Sequence, residues 1–166
     1  RRTPVSVGVV GSGEIARKGV YQLNDLVGVV AGVAVPNGSG NMPQAVGIRG
    51  VGVSIPAMSQ AVGIYVDDVP LVRGYATALW DLPDIERIEV LRGPQNTYFG
   101  RNTFAGAINF ITKNPGEAFA GKFDMQTSDR SNNSVNASVE GPLARWLSGR
   151  VAVGYRDKKG HYTALD

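Results

Sequence analysis

The chain has 166 residues, 43% apolar and 19% charged, with a formal charge of +3. That length holds one ordinary domain, or a small domain plus a fragment of another, and the composition excludes a disordered chain. It has no cysteine, which excludes a disulfide framework and thiolate metal sites, and basic residues scattered from Arg1 to Lys159 give no support to a nucleic-acid partner.

Residues 5–10 read as a strand, and Ser12 is placed to cap a short helix through about Lys18. Between them, Gly11-Ser12-Gly13-Glu14-Ile15-Ala16 satisfies the dinucleotide fingerprint G-x-G-x-x-G/A. A dinucleotide fold also needs a second strand ending in an acid about 20 residues on. Glu14 lies inside the motif, and Asp25 opens a helical pattern after Asn24, so neither fits. The regular alternation of strands and helices that a parallel sheet requires is missing as well. A soluble oxidoreductase is therefore the weaker reading, and the glycines are expected to tighten a strand-to-helix turn.

Asn24 is expected to cap a second helix over residues 25–30. Short strands follow at 33–35, 46–51, 63–69, 85–91 and 107–112, separated by loops of Gly/Pro-bearing sequence. Gly93–Thr103, "GPQNTYFGRNT", echoes a phosphate loop, but its glycines are too far apart and Arg101 replaces the lysine. Asp67 and Asp68, adjacent in a strand, would face opposite ways. Neither they nor Glu86 and Glu89 have a Ser, Cys or His nearby, so no catalytic site, metal site or cofactor is expected. His161 reads as a loop residue.

From Phe119 the texture becomes strict alternation. Lys122–Gln126, Ser134–Glu140 and Arg150–Arg156 each swap apolar and polar residues at every step, giving strands over about 119–128, 133–141 and 149–157. A soluble sandwich and a transmembrane barrel both produce this pattern. No apolar run reaches the roughly 18–20 residues of a membrane helix. The opening Arg1-Arg2-Thr3-Pro4 is not a signal peptide, and the natural N-terminus is expected upstream.

Residues 63–115, with Ile48-Arg49-Gly50 before them, closely resemble the plug domain of TonB-dependent outer-membrane receptors. The landmarks are Tyr65-Val66-Asp67, the run from Ile85 to Pro94, Phe99-Gly100-Arg101-Asn102-Thr103, and Gly106 to Thr112, in the family's order and spacing. Asp68, Asn96 and Ala105 stand where the family has glycine. Asp and Asn tolerate left-handed backbone, which keeps two of these turns plausible, and Ala105 is expected at negative φ.

The resemblance implies an α+β plug, a small mixed sheet with short helices, over residues 1–116. The first three strands of an incomplete antiparallel transmembrane barrel would follow over 117–166. It implies a gated outer-membrane receptor for TonB-coupled uptake of a scarce nutrient such as a ferric siderophore. The alternative is an isolated plug that binds a substrate or partner without transport. TonB would engage a box upstream of residue 1; a small-molecule ligand and outer-membrane lipid are the other implied partners. A closed barrel of about twenty-two strands needs several hundred further residues, so the chain is expected to be the start of a longer receptor.

By the same resemblance, Arg49 and Arg92 match plug arginines that face wall glutamates, although two surface arginines at strand ends is the plainer alternative. Glu86, Glu89, Gly93, Pro94, Gly100 and Arg101 belong to the structural motif. Substrate-facing apices would fall at Asn37, Pro56, Met58, Arg73, Gly74 and Tyr75. Residues 28–40, rich in glycine, are expected to unfold locally at little cost. Residues 141–148 are expected to form a periplasmic turn, with Trp146 either in an interfacial girdle or packed on the turn.

Overall fold

The computed structural model of the protein describes residues 6–20, 23–35, 46–52, 61–71, 84–127 and 133–157. The chain divides into two compact units, one of residues 1–80 and 85–112, the other of residues 81–84 and 113–166.

The first unit is built on a five-stranded mixed sheet. Its strands are β1 (Ser6–Gly11), β4 (Val62–Val66), β5 (Val69–Pro70), β6 (Ile85–Arg92) and β7 (Gly106–Thr112), in the order β1-β6-β7-β4-β5. A two-stranded ribbon, β2 (Val33–Ala34) with β3 (Gly47–Ile48), accompanies it. Only β4 and β7 run parallel; the other neighbours are antiparallel. The register aligns Val10, Ile88, Phe110 and Val66 in one row and Val90, Ile108 and Ile64 in the next. These rows form the core face, which Leu23, Leu26, Val30, Val33 and Ile48 help to bury. Leu26, Val90 and Ile108 are wholly enclosed, and each such side chain contributes about 1.5–3 kcal/mol of burial.

Helix α1 (Ser12–Lys18) follows β1 directly. Its N-cap is Gly11, in extended conformation, and Ser12 is already helical, so the expected Ser12 cap is corrected by one residue. Gly19 closes the helix at φ 63, the left-handed geometry glycine adopts freely. The fingerprint glycines hold no dinucleotide geometry. β1 is antiparallel to β6 rather than part of a parallel βαβ unit, and a Cβ on Gly11 or Gly13 would touch nothing.

The second helix is instead a 3-10 turn, Leu23–Gly28, beginning ahead of Asn24. Three residues per turn stack Leu23 and Leu26 on one side, and both are buried. The expected strand over 63–69 is two strands. Asp67 and Asp68, at φ 47 and 65, form a two-residue turn between β4 and β5, as a type I′ hairpin requires. Asp67 secures the turn by accepting hydrogen bonds from the Thr112 amide and hydroxyl. Helix α2 (Asn96–Phe99), a single turn, was not foreseen; Asn96 opens it and is not left-handed, whereas Asp68 is. Ala105 does not have positive φ.

The second unit carries an antiparallel sheet of β8 (Ala120–Thr127), β9 (Asn133–Ala144) and β10 (Leu147–Asp157), ordered β10-β9-β8. Strands β9 and β10 run through most of the expected 141–148 turn, leaving only Arg145 and Trp146 to make it. Cross-strand pairing places Gly121, Val139 and Val151, then Phe123, Ala137 and Val153, then Met125, Val135 and Tyr155, on one face. Ala120, Glu140 and Arg150, and Asp124, Asn136 and Gly154, share the other. On the apolar face, Phe123 is 69% exposed and Val153 61%. No described helix is long and apolar enough to cross a membrane, which says nothing of strands.

Candidate functional site

The expected ionic residues sit on backbone that the sequence shapes tightly. Arg49 and Gly50, at φ 54 and 80, are the centre of a two-residue turn. Ile48 and Val51 close it with reciprocal amide-to-carbonyl bonds of 3.0 and 3.1 Å. The Arg49 amide donates to the Gly32 carbonyl at 2.7 Å, which fixes the turn against Gly32 and leaves the residue exposed. Gly52, at φ 99, follows where a Cβ would press on the Val46 carbonyl at 2.9 Å.

Arg92 ends β6 opposite Ser6, whose hydroxyl accepts from its Nη1 at 3.2 Å. A Cβ on Gly8 would lie 3.0 Å from the Arg92 Nη2, so the glycine gives the guanidinium its place. Arg49 and Arg92 are thus presented on separate supports, and among the described residues neither pairs with a carboxylate.

Gly93, Pro94, Gly100 and Arg101 fall in one folded loop between β6 and β7. Gly93 and Gly100 have φ 94 and 75, and Asn102, a third left-handed residue, has φ 68. The Gly93 amide bonds the Ala105 carbonyl and the Gln95 amide bonds the Thr103 carbonyl. Thr103, fully buried, donates its hydroxyl to the Gly100 carbonyl at 2.7 Å. The loop lies over Tyr65, whose hydroxyl donates to the Phe99 carbonyl at 2.5 Å and whose ring meets Phe99 at 4.6 Å. Burial raises the Tyr65 phenol above its ordinary pKa, because ionisation there would strand a charge away from water. Gly63 leaves room beneath: a Cβ would come within 2.6 Å of both Thr103 and the Tyr65 ring. Arg101 is exposed. These bonds close the loop on itself.

Glu86 and Glu89 are brought together by Arg87. Its Nε donates to Glu89 at 2.7 Å and its Nη1 to Glu86 at 3.0 Å. Adjacent strand residues normally diverge, but the β6–β7 register slips between Ile85 and Arg87, and that bulge brings Glu86 back to Arg87. The hydrogen bond it donates to Glu89, with the nearby carboxylate charges, holds the Arg87 guanidinium even more firmly protonated. The arrangement is a structural ion network. The apex residues Asn37, Pro56, Met58, Arg73, Gly74 and Tyr75 lie outside the described residues, as do residues 36–40 of the 28–40 segment.

Sequence reasoning missed an enclosed charge of the second unit. Arg150, on the polar face of β10, grips both oxygens of Asp84 through Nε and Nη2 and reaches Glu140 through Nη1. Its Nη2 also donates to the Ser138 hydroxyl at 3.2 Å. Period-two alternation marks Arg150 as facing the polar side; nothing local announces a partner 66 positions away.

Comparison with known proteins gives this geometry its context. Residues 1–107 match the TonB-dependent Receptor Plug Domain family. The pesticin receptor of Yersinia pestis is 30% identical over 139 residues, covering 84% of this chain and 20% of that receptor. The iron-regulated outer membrane virulence protein of Vibrio cholerae is 28% identical over 165 residues, 91% of this chain and 24% of its own. Among solved structures, the ferric yersiniabactin uptake receptor FyuA from Yersinia pestis matches with a TM-score of 0.80 at 29% identity, over 90% of this chain and 24% of that one. The ferripyoverdine receptor of Pseudomonas aeruginosa matches with a TM-score of 0.79 at 26% identity, over 94% and 20%. The chain spans about a fifth to a quarter of the length of these relatives. With the mixed sheet, the self-bound loop after β6 and the family match in agreement, the chain belongs to the TonB-dependent receptor plug domain family.

Proposed function

We propose that this chain is the gate and the first wall strands of an outer-membrane receptor that imports a scarce iron chelate, a ferric siderophore or similar ligand, with energy from TonB. The observation that carries the reading is the register of β8–β10. It gathers apolar side chains on one face and charges on the other, immediately after a plug-type sheet. A strand pair solvated by lipid outside and water inside has this construction. The relatives support the cargo: one is named for ferric yersiniabactin uptake and another for ferripyoverdine.

In this reading residues 1–116 form the plug and 117–166 begin the wall. The guanidiniums of exposed Arg49 and half-buried Arg92 grip wall carboxylates, an interaction that a fork-shaped cation makes well in a partly dehydrated lumen. TonB engages a segment upstream of residue 1, and the apices around Asn37, Met58 and Tyr75 face the ligand. The test is uptake of iron-loaded chelates by cells carrying the complete gene, with and without TonB. Accumulation that needs both the gene and TonB supports the proposal; binding of chelate without any TonB-dependent accumulation favours a binding module and overturns it.

A further inference from the structure

Asp84 and Lys113 occupy two corresponding chain positions. Asp84 immediately precedes β6, Lys113 immediately follows β7, and the last register pair between those strands is Ile85 with Thr112. The ladder continues one step further, because the Lys113 amide donates to the Asp84 carbonyl at 2.9 Å. The two central strands of the plug sheet therefore end together, at the residue Arg150 holds.

All three guanidinium nitrogens of Arg150 are used. Two take Asp84, and one of these also takes Ser138; the third takes Glu140. Glu140 accepts a further bond from the Gly116 amide at 3.3 Å, and the Lys113 ammonium stands 4.0 Å from Asp84. The side chains of Arg150, Asp84 and Glu140 are only 11%, 17% and 21% exposed. By contrast, Arg87 and Glu86 are 38% and 43% exposed. A bidentate, enclosed ion cluster resists rupture far better than an exposed pair.

We propose that Arg150 is the tether of the gate: by fixing Asp84 it holds β6 and β7 in place while β1 is drawn off the sheet edge. The inference rests on the transport reading above. A pull from the N-terminus reaches Ser6 first. β1 is an antiparallel edge strand, so its pairs with β6 open one after another from Ser6 and Arg92 onward. Until those pairs part, the pull is borne by β6 through its ladder with β1, and β6 is anchored at its base by Asp84. Arg150 is a positioning residue here; it touches no ligand.

The described strands supply buried reporters, and these 166 residues contain no cysteine of their own. Val10→Cys in β1 and Ile108→Cys in β7 replace side chains that are 3% and 0% exposed. Each is introduced into the complete gene and exposed to a membrane-impermeant maleimide in cells given ligand, with and without TonB. The Val10→Cys variant should label only with TonB, and the Ile108→Cys variant should stay protected. Adding Arg150→Met should raise labelling at Ile108→Cys by about tenfold or more, again only with TonB. Arg150→Lys, which keeps charge but loses the fork, should fall between. If Arg150→Met does not reach the membrane, Asp84→Asn keeps the shape and the Arg150–Glu140 pair and serves as the test variant. Equal labelling of Ile108→Cys with and without the tether, whether high or low, overturns the proposal. TonB-independent labelling of Val10→Cys in the otherwise native receptor would instead sink the transport reading.

Discussion

The carboxylate of Asp68 accepts a 2.7 Å hydrogen bond from Nδ2 of Asn109, and the Asp68 amide returns one to Asn109 Oδ1 at 3.3 Å. Asn109 is 2% exposed in the middle of β7, so both its amide ends are satisfied by a turn 41 positions earlier. A left-handed aspartate at this turn uses its side chain to dock the hairpin.

Asn109→Ala should therefore lower the opening free energy of the β4–β7 region by about 2 kcal/mol, the worth of a hydrogen bond to a charged acceptor. Hydrogen exchange at β4 and β7 amides measures it. Asp68→Gly relaxes the positive φ but abandons Asn109, so its effect should be smaller, and the double variant should show the two residues coupled. Additive effects would contradict the account.

Glycine positions in this chain should respond to Ala in opposite directions. Gly63→Ala drives a methyl into Thr103 and the Tyr65 ring and should destabilise by at least about 2 kcal/mol. Gly13→Ala meets nothing within 4 Å and lies inside α1, so it should stabilise by roughly 0.5–1 kcal/mol through helix propensity. Urea denaturation midpoints compare the two.

Tyr65 sets an alkaline limit. Its phenol titrates higher folded than unfolded, so its contribution is fully present below the unfolded pKa of about 10 and is lost as pH rises through the folded value. Protection of the 93–105 loop should accordingly fall above about pH 10. Tyr65→Phe should flatten that dependence while costing about 1 kcal/mol at neutral pH, because the Phe99 carbonyl loses its donor. An unchanged alkaline profile in the variant would rule Tyr65 out.

The two faces of the β8–β10 sheet should tolerate charge unequally. Val139→Arg, on the apolar face beside Gly121 and Val151, should reduce membrane assembly by roughly 2–4 kcal/mol if that face meets lipid. Asn136→Arg, on the polar face, should be nearly neutral. Heat-modifiable migration of the receptor on gels reads folded against unfolded barrel in both.

What could be seen in the sequence beforehand was what repeats locally. The alternation of Lys122–Gln126 and of Arg150–Arg156 states which residues share a face without reference to any partner, and β6 and β7 stand out as dense β-branched runs. The Asp67-Asp68 and Arg49-Gly50 turns were harder, because positive φ at a non-glycine residue is imposed by the contacts on either side. Leu23–Gly28 carries a helical pattern but winds more tightly, since two buried leucines at a spacing of three suit the 3-10 form. The bulge that joins Glu86 to Arg87, and the grip of Arg150 on Asp84, depend on registers between distant segments, which no local pattern encodes.

The pairing of β1 with β6 has a consequence for biogenesis. Ser6–Gly11 is made before its partner Arg92, which lies 86 positions further on, so the β-prone "SVGVVG" strand must wait unpaired while the intervening chain is synthesised. Arg1-Arg2 on one side and Arg17-Lys18 on the other flank it with positive charge, the placement of gatekeepers that keep such a segment from self-association in transit.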